Sequence, residues 1–213
     1  MGLITPVGND VASFWSALIA GKNGIDLLTK FDTADYKVKL AAEVKNFDPY
    51  LYMDKSEIRK SDLFSQYAMA SAVQAVLDSN ILGNVNPERF GVYFGSGIGG
   101  LVTISDEIYK LNNQGPRRVS PHFIPMMIAN MAAGNIAIKF NAQGPCLPVT
   151  TACATGTSAI GESFRAIRDG YADAIITGGA EAAITPIGVA GFTNCMALRQ
   201  PHRFHSTEEE MVL

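Results

Sequence analysis

With 213 residues, 47% of them hydrophobic and 17% charged, the chain has the make-up of a soluble globular protein with one sizeable core or two small ones. A net charge of −3 gives no whole-chain attraction to nucleic acid or an anionic membrane, and no apolar run reaches the roughly 18 to 20 residues of a membrane span. Three cysteines at irregular spacing without a CxxC pair, and His122, His202 and His205 without ligand spacing, argue against a disulfide framework and against a metal site. The opening MGLITPVGND lacks the basic and apolar parts of a signal peptide, and a cytoplasmic location is expected, or an organelle matrix if a transit segment has been lost.

Gly2 to Asp10 reads as a loop, with Asn9 or Asp10 capping a helix that carries Val11, Phe14, Trp15, Leu18 and Ile19. Gly21 to Gly24 ends it, and residues 25–54 are mixed, with short extended pieces such as KVKLAAEV. A helix is predicted over Ser61 to Asn80, followed by a buried strand in RFGVYFGSG. A further helix runs from about Val102 to Asn112, and PMMIANMAAGNIAIKF reads as one helix rich in small residues. CLPVTTA is a short apolar strand, CATGTSAIGESFRAIRDG a helix ending at Gly170, and ADAIITGGAEAA another buried strand. Continuous apolar strands alternating with helices predict an α/β protein, with a mostly parallel sheet flanked by helices on both faces. No repeat or low-complexity linker divides the chain.

The stretch TTACATG places Cys153 where a strand hands over to a helix, among Ala152, Ala154, Thr155 and Gly156. A helix N-terminus offers a positive dipole end and unpaired N–H groups, which favour a thiolate. Small neighbours leave room for a carbonyl carbon to approach sulfur, and the Cys153 N–H can serve as an oxyanion donor. The plain alternative is a small buried hydrophobe, the reading preferred for Cys146 and Cys195. Gly95, Gly97 and Gly100 fit G-x-G-x-x-G, but no second strand with an acidic residue follows about 20 residues on, so a dinucleotide site is disfavoured.

The stretch VTTACATGTSAIGESFRAIRDGYADAIITGGAEAAITPIGVAGF resembles the nucleophile region of the β-ketoacyl-acyl-carrier-protein synthases, most closely the synthase II type of fatty-acid elongation. GSGIGG, GPRRVSPHFIPMMIANMAAGNIAIKFNAQGP and FDPYLYMDKSEIRKSDLFSQYA resemble segments of the same family. The resemblance implies the N-terminal half of a thiolase-like layered sandwich (α-β-α-β-α in the full family) and assigns Cys153 as the nucleophile. It further implies Ile98, Phe123, Ile124 and Phe192 as acyl-pocket positions, Phe123 and Ile124 reaching across a homodimer interface; the alternative for each is core packing. Lys55, Arg59 and Lys60 align with part of the docking surface for an acidic acyl carrier protein, with Arg117 and Arg118 a weaker candidate. The implied reaction is decarboxylative condensation without a metal or resident cofactor, the phosphopantetheine arm belonging to the carrier protein.

On this reading residues 1–198 form the N-terminal half of a ketosynthase and 199–213 an atypical tail, read as the product of a frameshifted or truncated coding sequence. The family's first strand, its two catalytic histidines, their supporting lysine and a phenylalanine gate have no counterpart assigned here. The chain alone is therefore expected to be inactive in condensation. A polyketide-type ketosynthase and a non-catalytic dimerisation or scaffold fragment stay open as alternatives, while the synthase-like nucleophile region disfavours a thiolase or a hydrolase.

Overall fold

The computed structural model of the chain describes residues 1–198; the expectations for 199–213, including His202 and His205, lie outside them. The elements in order are α1 (Val11–Ile19), β1 (Asp26–Leu27), β2 (Leu40–Ala41), α2 (Lys55–Arg59), α3 (Leu63–Ser79), β3 (Phe90–Gly95), α4 (Leu101–Gln114), α5 (Phe123–Met127), α6 (Met131–Phe140), β4 (Cys146–Leu147), α7 (Thr155–Arg168), β5 (Ala174–Gly179) and α8 (Pro186–Asn194). β1 and β2 form a small antiparallel pair, while β4-β3-β5 is a parallel sheet, with Phe90 opposite Ala174 and Gly95 opposite Gly179.

β3 is buried at every position, as its unbroken apolar run requires of a central parallel strand. Its alternate side chains serve two layers. Phe90, Val92 and Phe94 face α3 and α6, where Phe64, Ala68, Ala72, Ala132 and Ile136 close the core. Small residues on α3 and α6 let these helices lie close to the sheet, and full burial of Phe64 alone stabilises by about 2–3 kcal/mol. Tyr93 faces the opposite layer, beside Glu162, Arg165 and Ala166 of α7. α7 turns the stripe Thr155, Ala159, Ser163 and Ala166 to the sheet and leaves Ile160, Phe164 and Ile167 exposed at helical spacing.

The buried carboxylate of Asp62 joins two helices to this core. Its Oδ1 accepts from Phe64 N at 3.1 Å, capping α3, and its Oδ2 accepts from Thr103 N at 2.7 Å, in the first turn of α4. α4 begins at Gly100 without a side-chain cap of its own, so Asp62 satisfies an N–H that would otherwise be an orphan.

Four expectations change. The helix drawn through PMMIANMAAGNIAIKF is two helices, α5 and α6, because Met127 O turns away to accept from Gly100 N at 2.9 Å. The strand in CLPVTTA is only Cys146–Leu147; beyond it the chain rises over Gly95 and its ladder ends. Cys153 precedes α7 in a separate 3-10 turn, Ala152–Ala154. Cys146 and Cys195 are exposed rather than buried, Cys146 because β4 is an edge strand and Cys195 because it caps the C-terminus of α8.

Candidate active site

The C-terminal ends of β3 and β5 and the turn before α7 enclose a cleft of about 560 Å³. Cys153 opens into it from the 3-10 turn, and the lining also includes Ile98 of the glycine loop, Glu181 beyond β5 and Phe192 of α8. A crevice beyond the carboxyl ends of parallel strands is where α/β sheets place ligands, since the loops there are free of the ladder.

The turn is held in an uncommon shape. Ala152 has φ +50°, a left-handed conformation that costs an L-residue with a Cβ of order 1 kcal/mol or more. Thr155 locks it: its Oγ1 accepts from Thr151 N at 2.9 Å and donates to Ala152 O at 2.7 Å. Thr151 Oγ1 donates to Ser158 Oγ at 2.8 Å, tying the turn to the next turn of α7. The outcome is a cysteine on a sharp, braced bend, exposed, at the positive end of a 14-residue helix. Close packing beneath it depends on glycine: Gly156 lies against Gly179, with 3.1 Å from the Gly156 Cα to where a Gly179 Cβ would be.

The glycine loop after β3 supplies the facing wall. Gly99 has φ +82°, and Gly97 N and Ile98 N both donate to Glu181 Oε2, at 3.0 and 3.1 Å. Ser96 Oγ donates to Glu181 Oε1 at 3.1 Å and accepts from Gly99 N at 2.9 Å. The N–H groups that a dinucleotide phosphate would use are thus occupied by a carboxylate, which removes the basis of the G-x-G-x-x-G reading at Gly95, Gly97 and Gly100. Glu181 is a site residue that the sequence reading missed; a single acid set within the small-residue run TGGAEAA was its signal.

Of the residues singled out from sequence, Cys153, Ile98 and Phe192 share the cleft, and Ile98 and Phe192 are 40% and 41% exposed, which is not core packing. Phe123 and Ile124 do not line it; they open α5, with Ile124 exposed. Lys55 and Arg59 lie on α2 and Lys60 caps it; all three are exposed, and none makes an ion pair among the described residues. Lys139 of α6 approaches the same helix through Glu57, at 2.9 Å. His122 sits at the start of α5, outside the cleft lining. Although Cys146 is exposed, desolvation by the atoms around its sulfur pushes the thiol up from its ordinary pKa. No cluster of metal-ligating side chains occurs among the described residues, and no helix among them is long and apolar enough to cross a membrane.

A parallel sheet between helical layers, with an exposed cysteine at the bend leading into α7, is the arrangement of a thiolase-like α/β fold. The sequence profile of "Beta-ketoacyl synthase, N-terminal domain" matches residues 1–210, and the chain belongs to this family. It is 48% identical to 3-oxoacyl-[acyl-carrier-protein] synthase 2 of Staphylococcus aureus over 199 residues, covering 93% of this chain and 49% of the relative. The protein of the same name from Synechocystis sp. is 45% identical, with 93% and 48% covered. Among solved structures, the ishigamide ketosynthase/chain length factor superposes with a TM-score of 0.84 at 28% identity, covering 93% of this chain and 50% of that one. A type II PKS acyl-carrier protein in complex with its ketosynthase bound to the hexaketide gives 0.76 at 26% identity, with 90% and 52% covered. The chain spans about half the length of the curated relatives it matches.

Proposed function

We propose that this chain carries the acyl-accepting half of a β-ketoacyl-acyl-carrier-protein synthase of fatty-acid elongation. The observation that carries the reading is the exposed Cys153 on its braced bend, inside an apolar-walled cleft large enough for an alkyl chain. Cys153 sulfur attacks the thioester carbonyl of an acyl carrier protein; a new C–S bond forms, the old one breaks, and the carrier thiol leaves. In the complete reaction malonyl carrier protein loses carbon dioxide, and its carbanion attacks the Cys153 thioester. A C–C bond replaces the C–S bond, giving β-ketoacyl carrier protein and a free Cys153. The Cys153 N–H is assigned as an oxyanion donor for both tetrahedral steps. No resident cofactor enters this scheme.

In this proposal Ile98 and Phe192 contact the acyl chain, and Phe123 and Ile124 extend the pocket from the partner in a homodimer. Lys55, Arg59 and Lys60, with Lys139 beside them, receive the acidic carrier protein. The exposed stripe Ile160, Phe164 and Ile167 is assigned to the remainder of a full-length synthase, since the relatives are about twice as long. A cytoplasmic location follows from the substrates in this scheme. A polyketide-type ketosynthase is the second reading, favoured by the structural likenesses; the higher identity to fatty-acid synthases favours the first.

The test is alkylation with protection. Iodoacetamide is expected to label Cys153 faster than Cys146, whose thiol is pushed up, and faster than Cys195, at the C-terminal end of a helix. Preincubation with a long-chain acyl carrier protein is expected to block labelling at Cys153 alone, and neutral hydroxylamine, which cleaves thioesters, to restore it. Equal labelling of all three thiols with no protection would end the proposal.

A further inference from the structure

We infer that Glu181 is a positioning residue that fixes Ile98 beside Cys153 and thereby sets the preference of the cleft for a long acyl chain. The inference rests on the assignment of Cys153 as the acyl acceptor, and adds a residue to which neither the sequence reading nor the resemblance gives a role.

The argument starts from unequal stiffness. The loop from Ser96 to Gly100 contains three glycines, has Gly99 at φ +82°, and has little rigidity of its own. Glu181 stands on firm backbone: Ala180 N, the residue before it, donates to Gly95 O at 3.1 Å and extends the β3–β5 pairing past the end of the strands. From that anchor one carboxylate accepts from Gly97 N, Ile98 N and Ser96 Oγ. Hydrogen bonds to an ionised acceptor are stronger than neutral ones, and three converge here on two oxygens. They define the peptide plane from which the Ile98 side chain projects into the cleft.

Gly97 transmits the arrangement to the nucleophile. A methyl at Gly97 would lie 3.0 Å from Glu181 Oε2 and 3.4 Å from the Ala152 Cα. The loop is therefore clasped between Glu181 on one side and the bend carrying Cys153 on the other. Release of the carboxylate lets the loop drift, and Ile98 no longer presents a fixed wall to an alkyl chain attached at Cys153.

The experiment compares alkylation of Cys153 by N-dodecyl iodoacetamide and by iodoacetamide, on the full 213-residue chain, by peptide mass mapping. The ratio of the two rates cancels general changes in thiol exposure, and the same ratio on the urea-unfolded chain gives the baseline. The parent chain is expected to show a ratio well above baseline, and Glu181→Ala to lower it by about tenfold, the scale of one lost charged hydrogen bond. Glu181→Gln is expected to restore most of it, because its amide oxygen can still accept from both N–H groups while its NH₂ donates to Ser96 Oγ. If Glu181→Ala does not fold, Glu181→Asp decides, since its carboxylate is one methylene too short to hold both N–H groups. A variant ratio equal to the parent's, in Ala or failing that in Asp, overturns the inference and leaves the acyl-acceptor reading intact. A parent ratio at baseline removes the acyl cleft itself, and the inference with it.

Discussion

Gly95→Ala is expected to destabilise the protein by about 3 kcal/mol and to disorder the bend that carries Cys153, although it adds a single methyl. A Cβ at this position would sit 1.8 Å from Val149 O and 2.5 Å from Thr155 Cγ2. The first obstacle is backbone, and the second is the side chain that braces the Ala152 turn. Neither can swing away as a flexible side-chain tip would, so the segment from Val149 to Thr155 must move. The expected result is a lower urea midpoint, together with a loss of the difference in iodoacetamide rate between Cys153 and the other two cysteines. Gly134→Ala, in the interior of α6 with open space at its Cβ, provides the contrast and is expected to stabilise by up to about 1 kcal/mol. A Gly95→Ala midpoint equal to the parent's would show that the close approach of Val149 is not required.

The sequence foretold those elements whose local pattern and tertiary role agree. β3 is a continuous apolar run because it is central and parallel, and α3 shows small and apolar residues at helical spacing because it closes the core. Asp10 caps α1, its Oδ1 accepting from Ser13 N at 2.8 Å. The division between α5 and α6 was hidden, since MMIANM contains neither proline nor glycine. The break comes where a distant loop approaches: Gly100 N donates to Met127 O at 2.9 Å, and a Cβ added to Gly99 would lie 2.7 Å from Met127 O and 3.1 Å from Ala129 N. α8 was overlooked although Thr185 and Pro186 form an ordinary start signal, the Thr185 hydroxyl accepting from Gly188 N at 3.1 Å. At the site, Cys153 was visible by its small neighbours. The left-handed Ala152 and the clasp by Glu181 were not, because both depend on contacts between segments far apart in sequence.

The other large effect concerns the second half-reaction. In the proposed scheme this chain is expected to form β-ketoacyl product from acyl and malonyl carrier proteins at least about 10²- to 10³-fold more slowly than a full-length synthase. Decarboxylation places negative charge on an enolate oxygen, which needs fixed donors in a dry site. Among the described residues no histidine lines the cleft, and His122 stands at α5. Acyl transfer to Cys153 demands less, namely a reactive sulfur and one N–H donor, so the two half-reactions should separate in this chain. Product formed at the rate of a full-length synthase would refute that separation.

The central claim is that Cys153 is the acyl acceptor. Its most direct test is mass analysis of the chain after incubation with a long-chain acyl carrier protein, followed by digestion and mapping. The account predicts a mass increase of one acyl group on the peptide that contains Cys153, removed by hydroxylamine and absent from Cys153→Ala. An acyl group on Cys146 or Cys195, or one that persists in Cys153→Ala, would contradict it.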